Sequence, residues 1–355
     1  MKKRLKVLFF TLLLAILTTS CLINISNDNN HPVAVNLQDE LKVHFIDVGQ
    51  ADCIFIELPN NEEVLIDAGN TGDAETIINY IENLNIDDIE YFIITHPHED
   101  HMGSAAEIIN NISIEKVYVP DITADTKFYR NTMAAVENND VILIKAKAGL
   151  TILETPEISF KVLAPSSMYY SEMNEYSLVT KLIYNDSSFL FTGDAESVSE
   201  LEMIRKGYDL DSDLLKVGHH GGRTSSSMDF LNAVTPEYAV IPSEKDNSYG
   251  HPHKETLQRL TTIGSKIYRM DELSTIVATS DGKNITLSNP SESLLQKSAE
   301  TDSQKIQYIG NKNTRKFHIS SCSSIKDMKK SNQITFYIKQ DALKEGYEPC
   351  SICKP

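Results

Sequence analysis

The sequence Thr95-His96-Pro97-His98-Glu99-Asp100-His101 places three imidazoles and the carboxylate of Asp100 within six residues. It follows the apolar run 91–94, which has the composition of a buried strand, and residues 103–109 predict the start of a helix. Side chains at strand ends converge on a crevice in α/β folds. Imidazole and carboxylate suit zinc and its first-row neighbours. The stretch therefore predicts a metal site on a loop, and four potential ligands in this order disfavour a plain polar surface turn.

This H-x-H-x-D-H arrangement is the signature of the metallo-β-lactamase superfamily, which the chain resembles. Four other segments are similar to motifs of the ComEC-like competence branch, namely FIDVGQADC at 45–53, LIDAG at 65–69, FLFTGDAE at 189–196 and LKVGHHG at 215–221. The resemblance implies an α/β (α+β) fold, the αββα sandwich of that superfamily, over residues 41–288. It also implies a metal-dependent hydrolase, and it says less about the substrate.

The resemblance implies two divalent metal ions, zinc or manganese, in the active site. His96 and His98 would position one ion, and Asp194 would bridge both. The other ion would have its own ligands, namely Asp100, His101 and His219. His220 would contact substrate or relay protons, so the implied catalytic residues are Asp100, Asp194 and His220. Without the resemblance, Asp194 would be interpreted as the N-cap of a helix beginning near Glu196.

The chain departs from the best-known superfamily members at one position. Those proteins place a third first-metal histidine before the bridging aspartate, but no histidine occurs between His101 and His219. The competence branch has an Asn/Ser segment there, which is NEYSLV in this chain. Asn174 or Ser177 would then be a weak ligand, because an amide or a hydroxyl binds zinc less well than an imidazole does. Manganese therefore becomes a serious candidate.

Five further residues are expected around the metals. Asp67, at a strand end, is expected to orient the histidine loop, with a simple turn residue as the alternative. The hydroxyls of Thr224 and Ser225 are expected to hold an oxyanion. The GHPH segment resembles a loop of the competence branch, so His251 and His253 are expected to rim the active site. The alternative is that one of these two histidines caps the helix that follows.

The N-terminus predicts export. Residues 1–20 carry four basic and no acidic side chains, and the apolar run at 7–17 is too short for a comfortable transmembrane helix. The segment Thr18-Thr19-Ser20-Cys21 resembles a bacterial lipobox, although Thr18 stands where leucine is more usual. We expect a lipoprotein-type signal peptide at 1–21, a lipid on Cys21, and a polar tether at 22–40 that anchors an extracytoplasmic protein to the bacterial membrane. Simple secretion and a retained N-terminal anchor are the alternatives.

The end of the chain predicts a small separate module. The polar segment 289–305 has the composition of a linker. Residues 306–355 contain two closely spaced pairs of potential ligands, which are His318, Cys322, Cys350 and Cys353. Three thiolates and an imidazole form a closed structural zinc set. The segment resembles the metal-binding domain at the front of the Ada DNA-repair protein, so we expect a zinc-stapled α+β module. A disulfide with one free thiol is the alternative outside the cell.

Charge and motifs together favour a phosphodiester hydrolase related to DNA uptake. The formal net charge is −17, of which residues 305–355 contribute +6 and residues 21–304 contribute −27. The negative charge of the body disfavours sequence-independent binding of DNA, whereas the basic tail is typical of a docking module for DNA or another phosphodiester. A hydroxide shared by the two metals would attack the ester. The alternatives are a hydrolase of another ester or small molecule, and a non-catalytic surface binding protein with a vestigial metal site.

Overall fold

The structure is a computed structural model that describes residues 40–289 and 308–353, except residues 320, 321, 327, 337 and 338. The predicted signal peptide with Cys21, the tether up to residue 39 and the linker at 290–305 lie outside the described residues. Every helix in the described part of the chain is too short or too polar to cross a membrane.

Residues 41–288 form two mixed β-sheets. The first sheet has eight strands, which are β1 (Leu41–Phe45), β2 (Ile54–Glu57), β3 (Glu63–Ile66), β4 (Asp88–Ile93), β5 (Ser113–Pro120), β6 (Ile142–Ala146), β14 (Ile276–Ser280) and β15 (Ile285–Ser288). Their order across the sheet is β15-β14-β1-β2-β3-β4-β5-β6. The second sheet has seven strands, which are β7 (Thr151–Glu154), β8 (Ile158–Ala164), β9 (Val179–Tyr184), β10 (Ser187–Phe191), β11 (Leu214–Lys216), β12 (Tyr238–Ile241) and β13 (Lys266–Arg269). Their order is β13-β12-β11-β10-β9-β8-β7.

Helices of residues 74–273 connect these strands. Those linked to the first sheet are α1 (Ala74–Asn83), α2 (Glu99–Met102), α3 (Ala105–Asn111) and α4 (Lys127–Asn138). Those linked to the second sheet are α5 (Ser197–Arg205), α6 (Met228–Val234), α7 (Lys254–Thr262) and α8 (Met270–Leu273). Amphipathic sequence explains the packing of α1, because Ile77 and Ile81 lie one turn apart on its buried face.

Side chains along the strands alternate between two cores. In β10, Phe189 and Phe191 lie in the core between the sheets, whereas Leu190 lies in the core beneath the helices. In β4, Ile93 lies in the central core and Phe92 in the outer core beneath α1 and α3. Full burial of such a phenylalanine contributes about 1.5–3 kcal/mol. Helices therefore cover the outer faces of two stacked sheets, which confirms the predicted αββα sandwich.

The predicted ligand segments lie where parallel strands end. β3 runs parallel to β4, and β10, β11 and β12 run parallel to one another. Asp67 follows β3, the histidine loop follows β4, Asp194 follows β10, and the double histidine 219–220 follows β11. The carboxyl ends of parallel strands meet at one edge of a sheet. The distance of 3.3 Å between His101 Nε2 and Asp194 Oδ2 shows that the two sheets bring these ends together.

The described part of the tail is a small α+β unit. Its strands are β16 (Tyr308–Asn311), β17 (Lys316–Ile319), β18 (Gln333–Phe336) and β19 (Glu348–Pro349), and its helix is α9 (Lys339–Lys344). The sheet order is β18-β16-β17-β19. Its apolar core consists of Phe317, Phe336, Ala342 and Tyr347, with Tyr308 and Ile334 packed against them.

Candidate metal centre

Asp67 supports the histidine loop from behind. The residue is buried and has a left-handed backbone with φ of 62°. Its Oδ1 accepts a hydrogen bond from the backbone N–H of Thr95 at 2.7 Å, and its Oδ2 accepts one from the Thr95 hydroxyl at 2.8 Å. The same Oδ2 lies 2.8 Å from His101 Nδ1. With Nδ1 as the donor, His101 presents Nε2 as a free ligand atom, so Asp67 lies where an orienting carboxylate was expected.

Four side chains, three of them buried, bring their ligand atoms within 4.8 Å of one another, and they are Asp100, His101, Asp194 and His220. Asp194 Oδ2 lies 3.3 Å from His101 Nε2 and 3.7 Å from His220 Nε2. His101 Nε2 and Asp194 Oδ1 are buried without an aligned hydrogen-bond partner among the described residues. Orphaned polar atoms that converge in this way fit a divalent cation. We call this group the metal cluster.

Opposite charges fix the ionisation of the metal cluster. Burial alone would raise the pKa of Asp194, but His101, His220 and Lys216 hold that pKa well below its usual value. Burial would lower the pKa of His101, yet the surrounding carboxylates, with Asp194 first among them, raise it well above its usual value. A divalent cation would replace protons on the imidazoles while it neutralised the same carboxylates.

His220 takes the position that was expected for His219. The His220 side chain is buried, its Nδ1 donates to the carbonyl of Pro242 at 3.0 Å, and its Nε2 faces the carboxylates of the cluster. The His219 side chain is 26% exposed, and its Nδ1 lies 2.9 Å from Glu196 Oε1. Both histidines have φ of 51°, an uncommon conformation that recurs at functional sites. The structure therefore adds His220 to the candidate ligands, whereas His219, the expected ligand, lies at the edge of the cluster with its Nε2 3.9 Å from Asp194 Oδ2.

His96 and His98 form a second group beside the metal cluster. His96 is fully buried, and its Nε2 lies 2.9 Å from His98 Nδ1. The ring centroids of His96 and His101 are 4.2 Å apart, so the two groups adjoin. Burial lowers the pKa of both His96 and His98, which keeps these rings in the neutral form that binds metals. The structure thus brings together the two residues expected at the first metal.

Asn174 and Ser177 make different contacts. Ser177 Oγ accepts a hydrogen bond from the backbone N–H of Asp194 at 3.1 Å, and it lies 3.4 Å from His96 Nδ1. Asn174 lines the cavity, and its Nδ2 donates to Glu196 Oε1 at 3.2 Å. The buried Oδ1 of Asn174 has no aligned partner in the described part of the chain. Asn174 therefore offers the free oxygen that a weak ligand needs, whereas Ser177 positions Asp194.

The structure corrects the oxyanion role expected of Ser225. The buried Ser225 hydroxyl donates to the carbonyl oxygen of Gly218 at 2.6 Å, and its oxygen also lies 3.0 Å from the carbonyl oxygen of Gly222. Ser225 therefore braces the double-histidine turn instead of facing a substrate. Thr224 is exposed, and its hydroxyl donates to Glu196 Oε1 at 2.9 Å. The Thr224 hydroxyl is thus hydrogen-bonded to the same carboxylate that contacts His219, and it is not free to bind a substrate oxyanion.

His251 rims the active site, and His253 does not. The His251 ring lies 5.3 Å from the His219 ring, and burial together with the neighbouring histidines lowers the pKa of His251 to about 4. His253 is not among the residues that line the cavity, and its Nε2 accepts a hydrogen bond from Arg223 Nη2 at 2.9 Å. His253 precedes α7 but makes no side-chain cap to it within the described structure. The expected rim position therefore applies to His251 alone.

A cavity of about 320 Å³ opens onto the metal cluster. Its walls are mostly polar or charged, and they consist of Gln50, His98, Glu99, Asp100, Asn174, Asp194, His219, His220, Tyr249 and His251. This volume falls at the small end of the range of roughly 300–1,000 Å³ for ligand sites. The arrangement can hold divalent ions at the wall of a cavity that admits a polar substrate.

Residues 46–243 match the family described as the metallo-beta-lactamase superfamily. This span covers more than half of the chain and includes both ligand groups. The chain belongs to the metallo-β-lactamase superfamily. As a member of that superfamily it is a metal-dependent hydrolase.

Two curated superfamily relatives confirm the resemblance to the competence branch. ComE operon protein 3 of Bacillus subtilis (strain 168) is 28% identical over 257 residues, which cover 68% of this chain and 33% of that protein. Competence protein ComA of Neisseria gonorrhoeae is 28% identical over 236 residues, which cover 66% of this chain and 31% of that protein. The chain thus spans about a third of the length of these relatives.

A solved structure of the same fold class is also similar. It is the metallo-beta-lactamase fold protein YhfI from Bacillus subtilis, with a TM-score of 0.46 and 9% sequence identity. The match covers 70% of this chain and 100% of that chain.

Behind the superfamily's metal cluster lies a buried lysine that the sequence analysis missed. Lys216 is fully buried, pairs with the Asp52 carboxylate and donates to the carbonyl of Gly193 at 2.7 Å. Its Nζ also lies 3.6 Å from Asp194 Oδ1. A buried ammonium without acid partners would be strongly unfavourable, so the two aspartates fix its place. The available signal was a single lysine inside the apolar strand LLKV.

The tail brings together the four ligands that the sequence predicts there. The ligand atoms of His318, Cys322, Cys350 and Cys353 all lie within 4.8 Å of one another. His318 Nδ1 is 3.4 Å from Cys322 Sγ. Three sulfurs and one imidazole nitrogen at such distances fit one tetrahedral metal ion. We call this group the tail cluster.

Proposed function

We propose that the chain hydrolyses phosphodiester bonds in DNA with two divalent metal ions, zinc or manganese. The observation that carries the proposal is the metal cluster, which adjoins His96 and His98 and opens into a polar cavity. Nucleases and phosphatases use pairs of metal ions roughly 3.5–4 Å apart. The names of two curated relatives support DNA as the substrate class, because one is competence protein ComA and another, from Haemophilus influenzae, is recombination protein 2.

In this proposal the two ligand groups each hold one ion. His96 and His98 would hold one ion with Asn174 as a weak third ligand, and the metal cluster, which includes Asp194, would hold the other. Bound divalent ions supply Lewis acidity and activate water for attack. Asp67 accepts a hydrogen bond from His101 Nδ1, so the His101 ring would present Nε2 to the ion.

His219 then takes the proton-relay role that the sequence analysis gave to His220. The His219 ring lines the cavity, and its Nδ1 lies 2.9 Å from Glu196 Oε1. The hydrogen bond from His219 lowers the pKa of Glu196, so this carboxylate stays ionised and can stabilise a protonated imidazole. His219 Nε2, which lies 3.5 Å from Asn174 Nδ2 and 3.9 Å from Asp194 Oδ2, would exchange a proton with the leaving oxygen of the ester.

The charge distribution supports a division of labour between body and tail. Residues 21–304 carry −27, which repels a polyanion outside the immediate metal site. Residues 305–355 carry +6, and a metal in the tail cluster would hold those lysines on a defined surface. The tail is therefore proposed as the DNA-docking module, and the lipidated Cys21 as the anchor that keeps the enzyme outside the cell.

The test uses the full chain, stripped of metal and reloaded with zinc or manganese. Hydrolysis is measured on single-stranded DNA, double-stranded DNA and a small phosphodiester, with a carboxylic ester and a β-lactam as control substrates. Metal-dependent turnover of the phosphodiesters alone supports the proposal. Retained metal without turnover of any phosphodiester rejects it, and turnover of a control ester would identify a different substrate class.

The docking role has a separate test. Truncation near residue 298 is expected to weaken DNA binding and to flatten its salt dependence, because each lost phosphate contact removes released counterions. Turnover of the small phosphodiester should survive the truncation. Unchanged DNA affinity at low salt would reject docking by the tail.

A further inference from the structure

The loop between β12 and α7 carries an aromatic side chain that the metal chemistry does not use. Tyr249 is 67% exposed, and its ring lies nearly parallel to that of His251, at an interplanar angle of 22° and a centroid distance of 5.7 Å. His251 in turn lies nearly parallel to His220, at 22° and 6.3 Å. The rings of His220, His251 and Tyr249 are thus stacked in that order, from the metal cluster to the exposed phenol ring.

The loop is held in place by Asn247. Its Oδ1 accepts hydrogen bonds from the backbone N–H groups of Tyr249 at 3.1 Å and His251 at 3.0 Å. Its Nδ2 donates to the backbone carbonyls of Glu244 at 2.8 Å and His251 at 2.6 Å. Four bonds from one side chain fix the backbone on both sides of Tyr249. The exposed ring is therefore presented by an ordered loop, which lowers the entropic cost of using it for binding.

Tyr249 stands between two cavities. The first is the metal-site cavity, and the second, of about 450 Å³, shares Gln50, Glu99, Asp100 and Tyr249 with it. The second cavity is otherwise lined by Val48, Gly49, Asn70, Glu244, Asn247 and Ser248. These ten residues include two glutamates and an aspartate but no lysine or arginine. A phosphate would be repelled there, whereas a neutral group with N–H donors would find acceptors.

We propose that Tyr249 and the second cavity form a subsite for the nucleobase next to the scissile phosphodiester. The base stacks on the phenol ring, and its N–H groups face Glu99 and Glu244. Stacking on an aromatic side chain suits every base, because each has a π-face. The inference rests on the proposed function, because it assumes that the substrate is a nucleic acid. It adds that Tyr249 and the second cavity bind the base of that substrate.

The first experiment compares substrates on the metal-loaded full chain. A dinucleotide and its abasic counterpart, which keeps the phosphodiester but lacks both bases, are hydrolysed by the wild type and by variants. Tyr249→Ala should raise KM for the dinucleotide about tenfold, and it should raise KM for the abasic substrate far less. Tyr249→Phe should behave as the wild type. Tyr169→Ala, which truncates a tyrosine that is 81% exposed elsewhere, is the matched control.

The second experiment measures binding without hydrolysis. Binding of adenosine to the metal-loaded full chain is followed by saturation-transfer NMR, with ribose as the probe that lacks a base. Adenosine should bind the wild type and Tyr249→Phe, and the signal should be lost in Tyr249→Ala. Equal adenosine binding by Tyr249→Ala, or an unchanged KM for the dinucleotide, overturns the subsite. If the wild type hydrolyses neither substrate, the proposed function fails, and the adenosine result still decides the subsite.

Discussion

The two candidate metal sites of this chain differ in the scaffold around them. The metal cluster takes its side chains from segments that follow separate strands, and three apolar cores lie behind them. The tail cluster belongs to a unit whose described apolar core has four fully packed members, which are Phe317, Phe336, Ala342 and Tyr347. A unit of this size buries too little surface to be stable on apolar contacts alone.

This difference indicates whether the protein scaffold organises the metal site or the metal organises the protein around it. In the body, protein contacts hold His101, Asp194 and Lys216 in place, so we expect the metal to add chemistry. In the tail, the metal would supply most of the folding free energy, so it adds structure. The following changes test this contrast, from the largest expected effect to the smallest.

Loss of the tail metal should unfold the tail and leave the body intact. Structural zinc contributes about 10–16 kcal/mol in zinc-finger peptides, more than a small core can replace. The double variant Cys350→Ser/Cys353→Ser should therefore lose hydrogen-exchange protection across 308–353 and keep it across 40–289. Ser351→Ala, between the two cysteines, is the control. A tail that stays protected in the double variant would show that its apolar core suffices.

Asp194→Ala should abolish catalysis without unfolding the body. The aspartate belongs to the metal cluster, with its Oδ2 3.3 Å from His101 Nε2, and loss of several kcal/mol of metal-borne stabilisation lowers kcat by about a thousandfold or more. Metal content should fall as well, which elemental analysis measures. Asp186→Ala, in the exposed turn that precedes β10, is the control and should match the wild type. Wild-type turnover by Asp194→Ala would rule out the two-metal mechanism.

Lys216→Met tests whether the buried ion pair with Asp52 stabilises the structure behind the metal cluster. Breaking a buried ion pair costs about 3–5 kcal/mol, because Asp52 is left charged in the interior. The free energy of unfolding, from denaturant titration of the metal-free protein, should fall by about 3 kcal/mol. Lys216→Met/Asp52→Asn should recover part of that loss. Lys42→Met removes a partly exposed ion pair with Glu57 and should cost less than about 1 kcal/mol.

The adjacent histidines should differ when each is replaced by alanine. His220→Ala removes a metal ligand and should lower metal affinity and turnover about a hundredfold, or about 2.7 kcal/mol. His219→Ala should retain bound metal and lower kcat by about tenfold, as expected for loss of a proton relay. Equal metal loss in both variants would return His219 to the ligand set.

Much of the fold and of the site follows from the sequence. Alternating apolar residues fix which face of β10 is buried, so Phe189 and Leu190 point to different cores. The ligand motifs follow apolar strands, which predicts that Asp67 lies at the histidine loop, and the resemblance to the superfamily implies that Asp194 meets that loop. These features depend on local periodicity and on strand ends, which a single sequence displays.

The remaining features depend on contacts that sequence spacing does not encode. His219 and His220 are neighbours with the same backbone conformation. Their contacts distinguish them, because the buried His220 ring donates to the carbonyl of Pro242, whereas the partly exposed His219 ring contacts Glu196. Ser225 resembles a substrate-facing hydroxyl until its bonds to backbone carbonyls are seen. Asp52 belongs to a motif that was recognised, yet its partner Lys216 lies 164 residues away in sequence, in another sheet.

Removal of all metal from the full chain, followed by two readouts on the same sample, tests the central claim most directly. The readouts are turnover of a small phosphodiester and hydrogen exchange across 40–289 and 308–353. We predict that turnover is lost, that protection across 40–289 stays close to that of the loaded protein, and that protection across 308–353 disappears. Added metal should restore both turnover and tail protection. Phosphodiester turnover that persists in the metal-free protein would contradict the account.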